Sequence, residues 1–170
     1  MTIQENDWVV HPQHGVGRVV KLEARQFGAG TLRPYYEIAL SNGTIWVPVD
    51  ETTSGLRKLT PRADLAQYRR VLKSRPTPIV GDYRERQVRL SERRKLSSFR
   101  SRCELVRDLT AFSWQKPLTE SSGILLRSAH DVLCEEWAVA EGLSPLDAAH
   151  EVEALLLEGR KLHEAKNPTV

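Results

Sequence analysis

The dipeptide Asn42-Gly43 constrains the fold of this chain more strongly than any other short stretch. It separates two β-prone runs, residues 35–41 (YYEIALS) and residues 44–49 (TIWVPV). Asn-Gly between two such runs is the signature of a type I′ hairpin, in which both central residues take positive φ. The sequence therefore predicts an antiparallel hairpin with a type I′ turn at this place.

Two further β-prone runs precede the hairpin. Residues 7–12 (DWVVHP) read as a strand that ends at a proline, and residues 18–27 (RVVKLEARQF) read as a longer one. Glycine-containing turns are expected at residues 13–17 and 28–30. Four or five short strands in this segment predict a small SH3-like or Tudor-like antiparallel β barrel over residues 1–60.

The strand after the hairpin carries a tryptophan on one of its two faces. Alternation places Ile45, Val47 and Val49 on one face, and Trp46 with Pro48 on the other. If the aliphatic face is the core, Trp46 lies on the outer surface, where an aromatic side chain indicates a partner site. The alternative is that Trp46 packs on a loop or on the second domain. Pro48 favours an edge strand, because it cannot donate to a neighbouring strand.

The periodicity becomes helical after residue 60. Thr60-Pro61 and Ser144-Pro145 are both typical of a cap followed by a proline in the first turn. We predict helices over residues 61–74, 82–95, 98–114 and 119–141, and a last one that opens at residue 144. The predicted fold class is thus α+β with two domains: a barrel over 1–60, a first helix and proline-containing linker over 61–80, a helical domain over 81–165, and a tail over 166–170.

Charge is distributed unevenly along the chain. Residues 1–60 have a net charge of zero, residues 61–107 of +9, and residues 108–170 of −6. Nine basic residues lie from Gly81 to Arg107, and eight of them are arginine. An aromatic residue, Tyr83, comes directly before the first of them. Such a segment is either a solvated helix face with internal ion pairs or a surface for a polyanion, of which nucleic acid is the commonest.

Several classes of function are not supported. Apolar runs never exceed four residues and the first residues lack a secretory pattern, so we expect a cytoplasmic protein without a membrane partner. Cys103 and Cys134 lack the spacing of a zinc knuckle and are expected to be buried thiols. His11 and His14 have no third metal ligand nearby. No nucleophile has a base at motif spacing, so we expect a binding protein without a cofactor or a metal, and not an enzyme.

Five segments together resemble a known family. They are residues 7–17 (DWVVHPQHGVG), Tyr35-Tyr36, Val47-Pro48, Gly55-Leu56-Arg57 and Val106-Arg107-Asp108-Leu109. Their order and spacing resemble the CarD/CdnL family of bacterial transcription regulators over residues 6–158. The amino-terminal part is also similar to the polymerase-interacting domain of transcription-repair coupling factors.

The resemblance implies a Tudor-like domain that binds the β subunit of bacterial RNA polymerase. An arginine that serves this contact in the family matches Arg25. A second contact arginine of the family falls on Trp46, where this chain departs from the pattern. With Pro48 on the expected edge strand, these three residues form the predicted polymerase site.

The resemblance also implies a helical domain that contacts promoter DNA at the upstream edge of the melted region. There the family inserts an aromatic side chain into the minor groove and so stabilises the open complex. Counting back from Val106-Arg107-Asp108-Leu109 places Tyr83 at the position of this wedge, which is a tryptophan in the family. The predicted phosphate contacts around it are Arg84, Arg86, Arg89, Arg93 and Arg94.

We therefore expect a monomer whose partners are RNA polymerase and promoter DNA. An alternative from another class is an interaction adaptor that never touches DNA and whose arginine run docks on an acidic protein. A standalone RNA-binding barrel is disfavoured by the zero net charge of residues 1–60.

Overall fold

The computed structural model describes residues 2–50 and 55–164. The chain divides into two compact units, residues 1–59 and residues 60–170. We refer to them as the sheet unit and the helical unit. The predicted tail, residues 166–170, lies outside the described residues.

The sheet unit is a five-stranded antiparallel sheet. Its strands are β1 (Trp8–His11), β2 (Gly15–Arg25), β3 (Arg33–Leu40), β4 (Gly43–Pro48) and β5 (Arg57–Lys58). Their hydrogen-bonded order is β4-β3-β2-β1-β5. Among the described residues β4 does not pair with β5, so the sheet is open, whereas the sequence suggested a closed barrel.

The predicted hairpin is formed by β3 and β4, but its turn is not of type I′. Leu40 pairs with Gly43, so the two loop residues are Ser41 and Asn42. Asn6 is the one non-glycine residue with positive φ in the part of the chain that the structure describes. Gly43, with φ of 153°, is the first residue of β4 and not a loop residue. The Asn-Gly signature therefore predicts the hairpin correctly, but not the type of its turn.

The core of the sheet unit consists of Val9, Val19, Tyr36, Ile38 and Val47. Gly17 of β2 lies against this core, and a Cβ atom there would approach Cγ2 of Ile38 to 2.4 Å. Only glycine therefore lets β2 pass so close to β3. The turn between β1 and β2 is closed by His11, whose Nδ1 accepts the backbone N–H groups of Gln13 and His14.

Within its described residues, the helical unit contains five α-helices after a short 3-10 turn at Arg62–Asp64. They are α1 (Leu65–Lys73), α2 (Tyr83–Arg94), α3 (Phe99–Gln115), α4 (Glu120–Glu141) and α5 (Pro145–Glu164). The predicted α+β fold with two parts is thus confirmed. No helix in the described ranges is long and apolar enough to cross a membrane.

Two apolar clusters hold the helices together. The larger one joins α1, α3, α4 and α5 around the fully buried ring of Trp137. The smaller one packs Leu90 of α2 against Leu105 and Leu109 of α3, with Ile79 beside them. Helix α2 therefore buries a single narrow stripe and leaves most of its surface to solvent.

Candidate functional site

On the outer face of the sheet, the guanidinium of Arg25 lies over the ring of Trp46. Val47 is buried and Trp46 is 38% exposed, as the alternation along β4 predicted. The guanidinium carbon of Arg25, from β2, lies 4.9 Å from the centroid of the Trp46 ring. Such cation–π contacts hold a guanidinium in place while leaving its edge free to bind an acidic group.

Two further rings extend this contact into an aromatic patch. Phe27 lies 5.0 Å from Tyr35 and 6.3 Å from Trp46, measured between ring centroids. We call Arg25, Phe27, Tyr35 and Trp46 the Arg25–Trp46 patch. Phe27 is 48% exposed, and its place after the end of β2 gave no signal in the sequence. The patch joins a cation to exposed apolar area, a combination that is common in protein interfaces.

Glu23 holds the arginine of the patch in place, and Pro48 lies where the patch meets the edge of the sheet. Glu23 accepts a hydrogen bond from Nε of Arg25 and forms an ion pair with Lys21 at 2.6 Å. These bonds, first from Lys21 and then from Arg25, lower the pKa of the Glu23 carboxyl below its ordinary value. Pro48 pairs with Tyr35 at the end of the edge strand β4, so the patch reaches an edge of the sheet.

Tyr83 is the first residue of α2 and its side chain is 57% exposed. A capping box fixes this helix start: Asp82 accepts the backbone N–H of Glu85 at 2.9 Å, and Glu85 accepts that of Asp82 at 3.2 Å. Gly81 precedes the cap with φ of 107°, and a Cβ atom there would lie 2.3 Å from the Glu85 carboxylate. The exposed ring of Tyr83 therefore lies at a helix start that the capping box holds in place.

Three arginines of α2 are free to bind a partner. Arg84, Arg89 and Arg94 are exposed and make no ion pair with any residue that the structure describes. Their spacing of five residues rotates each by about 140° from the one before, because an α-helix turns about 100° per residue. They therefore surround the helix and do not form a single stripe.

The other two predicted phosphate contacts have partners within the helical unit. Nη1 of Arg86 donates to the carbonyl of Gly81 at 2.7 Å, and its guanidinium carbon lies 5.6 Å from the Phe112 ring centroid. Nη2 of Arg93 donates to Oδ2 of Asp108 at 2.8 Å. Arg93 thus stabilises the packing of α2 on α3, whatever else it contacts.

Asp108 is a residue whose role the sequence did not reveal. Its side chain is 1% exposed and accepts hydrogen bonds from the backbone of Thr77, from Arg93 and from Arg107. Arg107 in turn donates to Oγ of Ser74 at 2.7 Å. One buried carboxylate therefore joins the end of α1, the linker and α2 to α3. In the sequence, Arg107 and Asp108 stand out only as part of the segment Val106-Arg107-Asp108-Leu109, which resembles the CarD/CdnL family.

The two cysteines are buried and free, as expected. Burial raises the pKa of the Cys134 thiol to about 12, with smaller contributions from Asp131 and Glu153. Burial also raises the pKa of the Cys103 thiol well above its ordinary value. Both thiols are therefore protonated at neutral pH and are poor nucleophiles. Among the described residues, no group of three or more potential ligands is placed to hold a metal ion.

Comparison with known proteins identifies the sheet unit. Residues 3–60 match the family model of the CarD-like/TRCF RID domain. This segment is therefore similar to the CarD-like/TRCF RID domain. The resemblance inferred from the sequence is thereby confirmed for the sheet unit, and the Arg25–Trp46 patch lies within the CarD-like domain.

The chain is also similar to a relative along most of its length. It is 25% identical over 144 residues to YdeB, a candidate transcription factor of Bacillus subtilis (strain 168). The match covers 83% of this chain and 94% of the relative. It therefore extends beyond the CarD-like domain into the helical unit, which carries Tyr83 and the arginines of α2.

Proposed function

We propose that this protein is a transcription regulator that binds the β subunit of RNA polymerase through its CarD-like domain. The helical unit then contacts promoter DNA at the upstream edge of the melted region and stabilises the open complex. The observation that carries this proposal is the match of residues 3–60 to the CarD-like/TRCF RID domain, a family that implies an interaction with RNA polymerase. The similarity to a candidate transcription factor supports it.

The Arg25–Trp46 patch is suited to the polymerase contact. Arg25 is held on a ring and by Glu23, so less side-chain entropy is lost when its remaining N–H groups pair with an acidic group of the partner. Trp46, Phe27 and Tyr35 supply the apolar area that a stable contact needs. Pro48 places this surface beside a sheet edge.

Tyr83 is suited to act as a wedge. Unstacking a base step costs a few kcal/mol, and a ring that stacks only on the opened edge returns part of that cost in the melted state alone. Because the capping box fixes the start of α2, the ring is presented without further ordering. The open complex is therefore favoured over the closed one.

Arg84, Arg89 and Arg94 supply a salt-sensitive grip that does not depend on sequence. Because they surround α2, a single duplex cannot contact all three equally, and the grip of the isolated chain on DNA is weak. Tethering through the CarD-like domain raises the effective concentration and selects where on the DNA the helix lands. Arg86 and Arg93 act chiefly by holding the helix, through Phe112 and Asp108.

The test has two steps with the full chain. Co-purification with core RNA polymerase and with its isolated β subunit is expected, and open complexes on a weak promoter should live longer when the protein is present. Binding to polymerase with an unchanged lifetime, and without salt-dependent binding to duplex DNA, would favour the adaptor that never touches DNA. Failure to bind polymerase would contradict the proposal itself.

A further inference from the structure

A long groove crosses the helical unit on one side of the linker. Its walls are the linker residues 75–80, the end of α3 and the end of α5, and its volume is about 830 Å³. This volume lies within the range of natural ligand sites. Among the described residues, the predicted DNA-binding residues do not line this long groove, and of them only Arg86 lines the smaller cavity that adjoins it. The proposed function therefore gives the long groove itself no role.

The groove begins beside the helix that carries Tyr83. A smaller cavity of about 70 Å³ is lined by Arg86 and Gln87 of α2. It shares Ile79, Phe112 and Lys116 with the long groove, so the two meet at these residues. We call the joined surface the linker groove.

The linker groove is cationic. Arg75 and Lys116 stand on its walls and make no ion pair with any described residue, and both are exposed. The acidic groups beside them are already matched. Asp108 accepts from Arg93 and Arg107, and Glu164 accepts from Nε of Arg160 at 2.7 Å. The unmatched charge of the groove is therefore positive.

Two arginines of the groove lie on aromatic rings. The Arg160 guanidinium carbon is 4.7 Å from the Trp114 ring centroid, and that of Arg86 is 5.6 Å from the centroid of Phe112. Nucleobases stack on aromatic rings and on guanidinium planes, and their phosphates pair with nearby cations. Rings along a cationic track are the features by which proteins hold single strands.

We propose that the linker groove binds a single-stranded segment of DNA, with bases against its ring-backed arginines and phosphates on Arg75 and Lys116. A duplex is a poorer ligand, because its bases are already stacked on one another. The inference rests on the proposed function, which brings the chain to strands that are separating. There the groove would receive one melted strand from the edge at which Tyr83 is wedged.

The test measures binding of the full chain to a labelled oligothymidylate, with fluorescence anisotropy as the readout. A duplex of equal length and an oligoglutamate serve as comparison ligands. The wild type should bind the single strand more tightly than either. Lys116→Glu and Arg75→Glu should each weaken this binding about tenfold and lower its salt dependence.

Lys161→Glu is the matched control, since it makes the same charge change at an exposed position of α5 that does not line the groove in the described ranges. It should change the affinity less than about twofold. Circular dichroism verifies that each variant is folded. Equal losses in Lys116→Glu and Lys161→Glu, no preference over duplex, or tighter binding of oligoglutamate would each overturn the inference.

These outcomes are separable from failure of the proposed function. That function is tested by polymerase binding and by the effect of Tyr83 on open-complex lifetime, and it assigns no role to Arg75 or Lys116, the two groove residues that are substituted. Loss of the Tyr83 effect with retained single-strand binding would refute the wedge alone. The reverse result would refute the groove alone.

Discussion

The guanidinium of Arg25 lies 4.9 Å above the ring of Trp46, although the two residues are on β2 and β4 with β3 between them. The resemblance to the CarD/CdnL family implies arginines at both positions. Here one of the two cations is replaced by a ring that holds the other in place. The proposed polymerase contact is thereby expected to depend on both residues together, because each positions the other.

Removal of either member of this pair should weaken binding to the β subunit. Arg25→Glu and Trp46→Ala are each expected to raise the Kd about tenfold or more, as for residues at the centre of an interface. The double variant should lose little more than the stronger single variant. Surface plasmon resonance with the isolated β subunit measures these constants.

Trp8 provides the matched control for this prediction. It is 42% exposed and has its own arginine, Arg18, at 5.9 Å, but it contacts no ring of the patch among the described residues. Trp8→Ala should leave the Kd unchanged. If it weakens binding as much as Trp46→Ala, the partner uses another surface of the sheet.

Asp108→Asn should destabilise the helical unit. The change removes a buried charge that accepts from Thr77, Arg93 and Arg107, and it leaves two guanidiniums without their carboxylate. Breaking a buried ion pair in this way costs about 3 kcal/mol. Urea unfolding followed by circular dichroism measures the loss.

The comparison for Asp108 is an exposed ion pair of the same helix. Glu104 pairs with Arg100 at 3.0 Å, one turn away on the surface of α3. Glu104→Gln should cost only about 0.3 kcal/mol. Equal effects of the two substitutions would show that Asp108 does not join the linker and α2 to the bundle.

Both thiols should resist modification in the folded protein. Because burial raises the pKa of Cys134 to about 12 and that of Cys103 well above its ordinary value, neither forms thiolate at pH 8. Titration with a thiol-reactive dye should detect almost no thiol in the native state and both after denaturation. Fast labelling of one cysteine at pH 8 would contradict its position in the core.

Much of this fold follows from local sequence signals. Strands β1 to β4, helices α1 to α4 and the start of α5 lie within a few residues of their predicted bounds, because caps, prolines and periodicity act over short distances. The predicted cap at Thr60-Pro61 was wrong: α1 begins only at Leu65, after a 3-10 turn, and the Thr60 hydroxyl donates to Glu136 at 2.7 Å. The hairpin was identified by Asn42-Gly43. Its turn type was not, because pairing of Gly43 with Leu40 moved the loop by one residue.

The long-range contacts could not be predicted in this way. Arg93 and Asp108 are fifteen residues apart on different helices, and no spacing rule couples them. The arginine run looked uniform in the sequence. Because α2 packs through Leu90, Arg86 and Arg93 lie near α3 and contact Phe112 and Asp108. The other three arginines of α2 face solvent: Arg84, Arg89 and Arg94.

The exposed ring of Tyr83 is proposed to stabilise melted DNA. The most direct measurement is the lifetime of open complexes on a weak promoter with wild-type protein, with Tyr83→Ala, and with Val88→Ala as an exposed control on the same helix. If the ring returns about 1 kcal/mol of the unstacking cost, Tyr83→Ala should shorten the lifetime about fivefold while polymerase binding stays intact. Val88→Ala should have no effect. A Tyr83→Ala protein that binds polymerase and supports the full wild-type lifetime would show that the ring does not stabilise melted DNA.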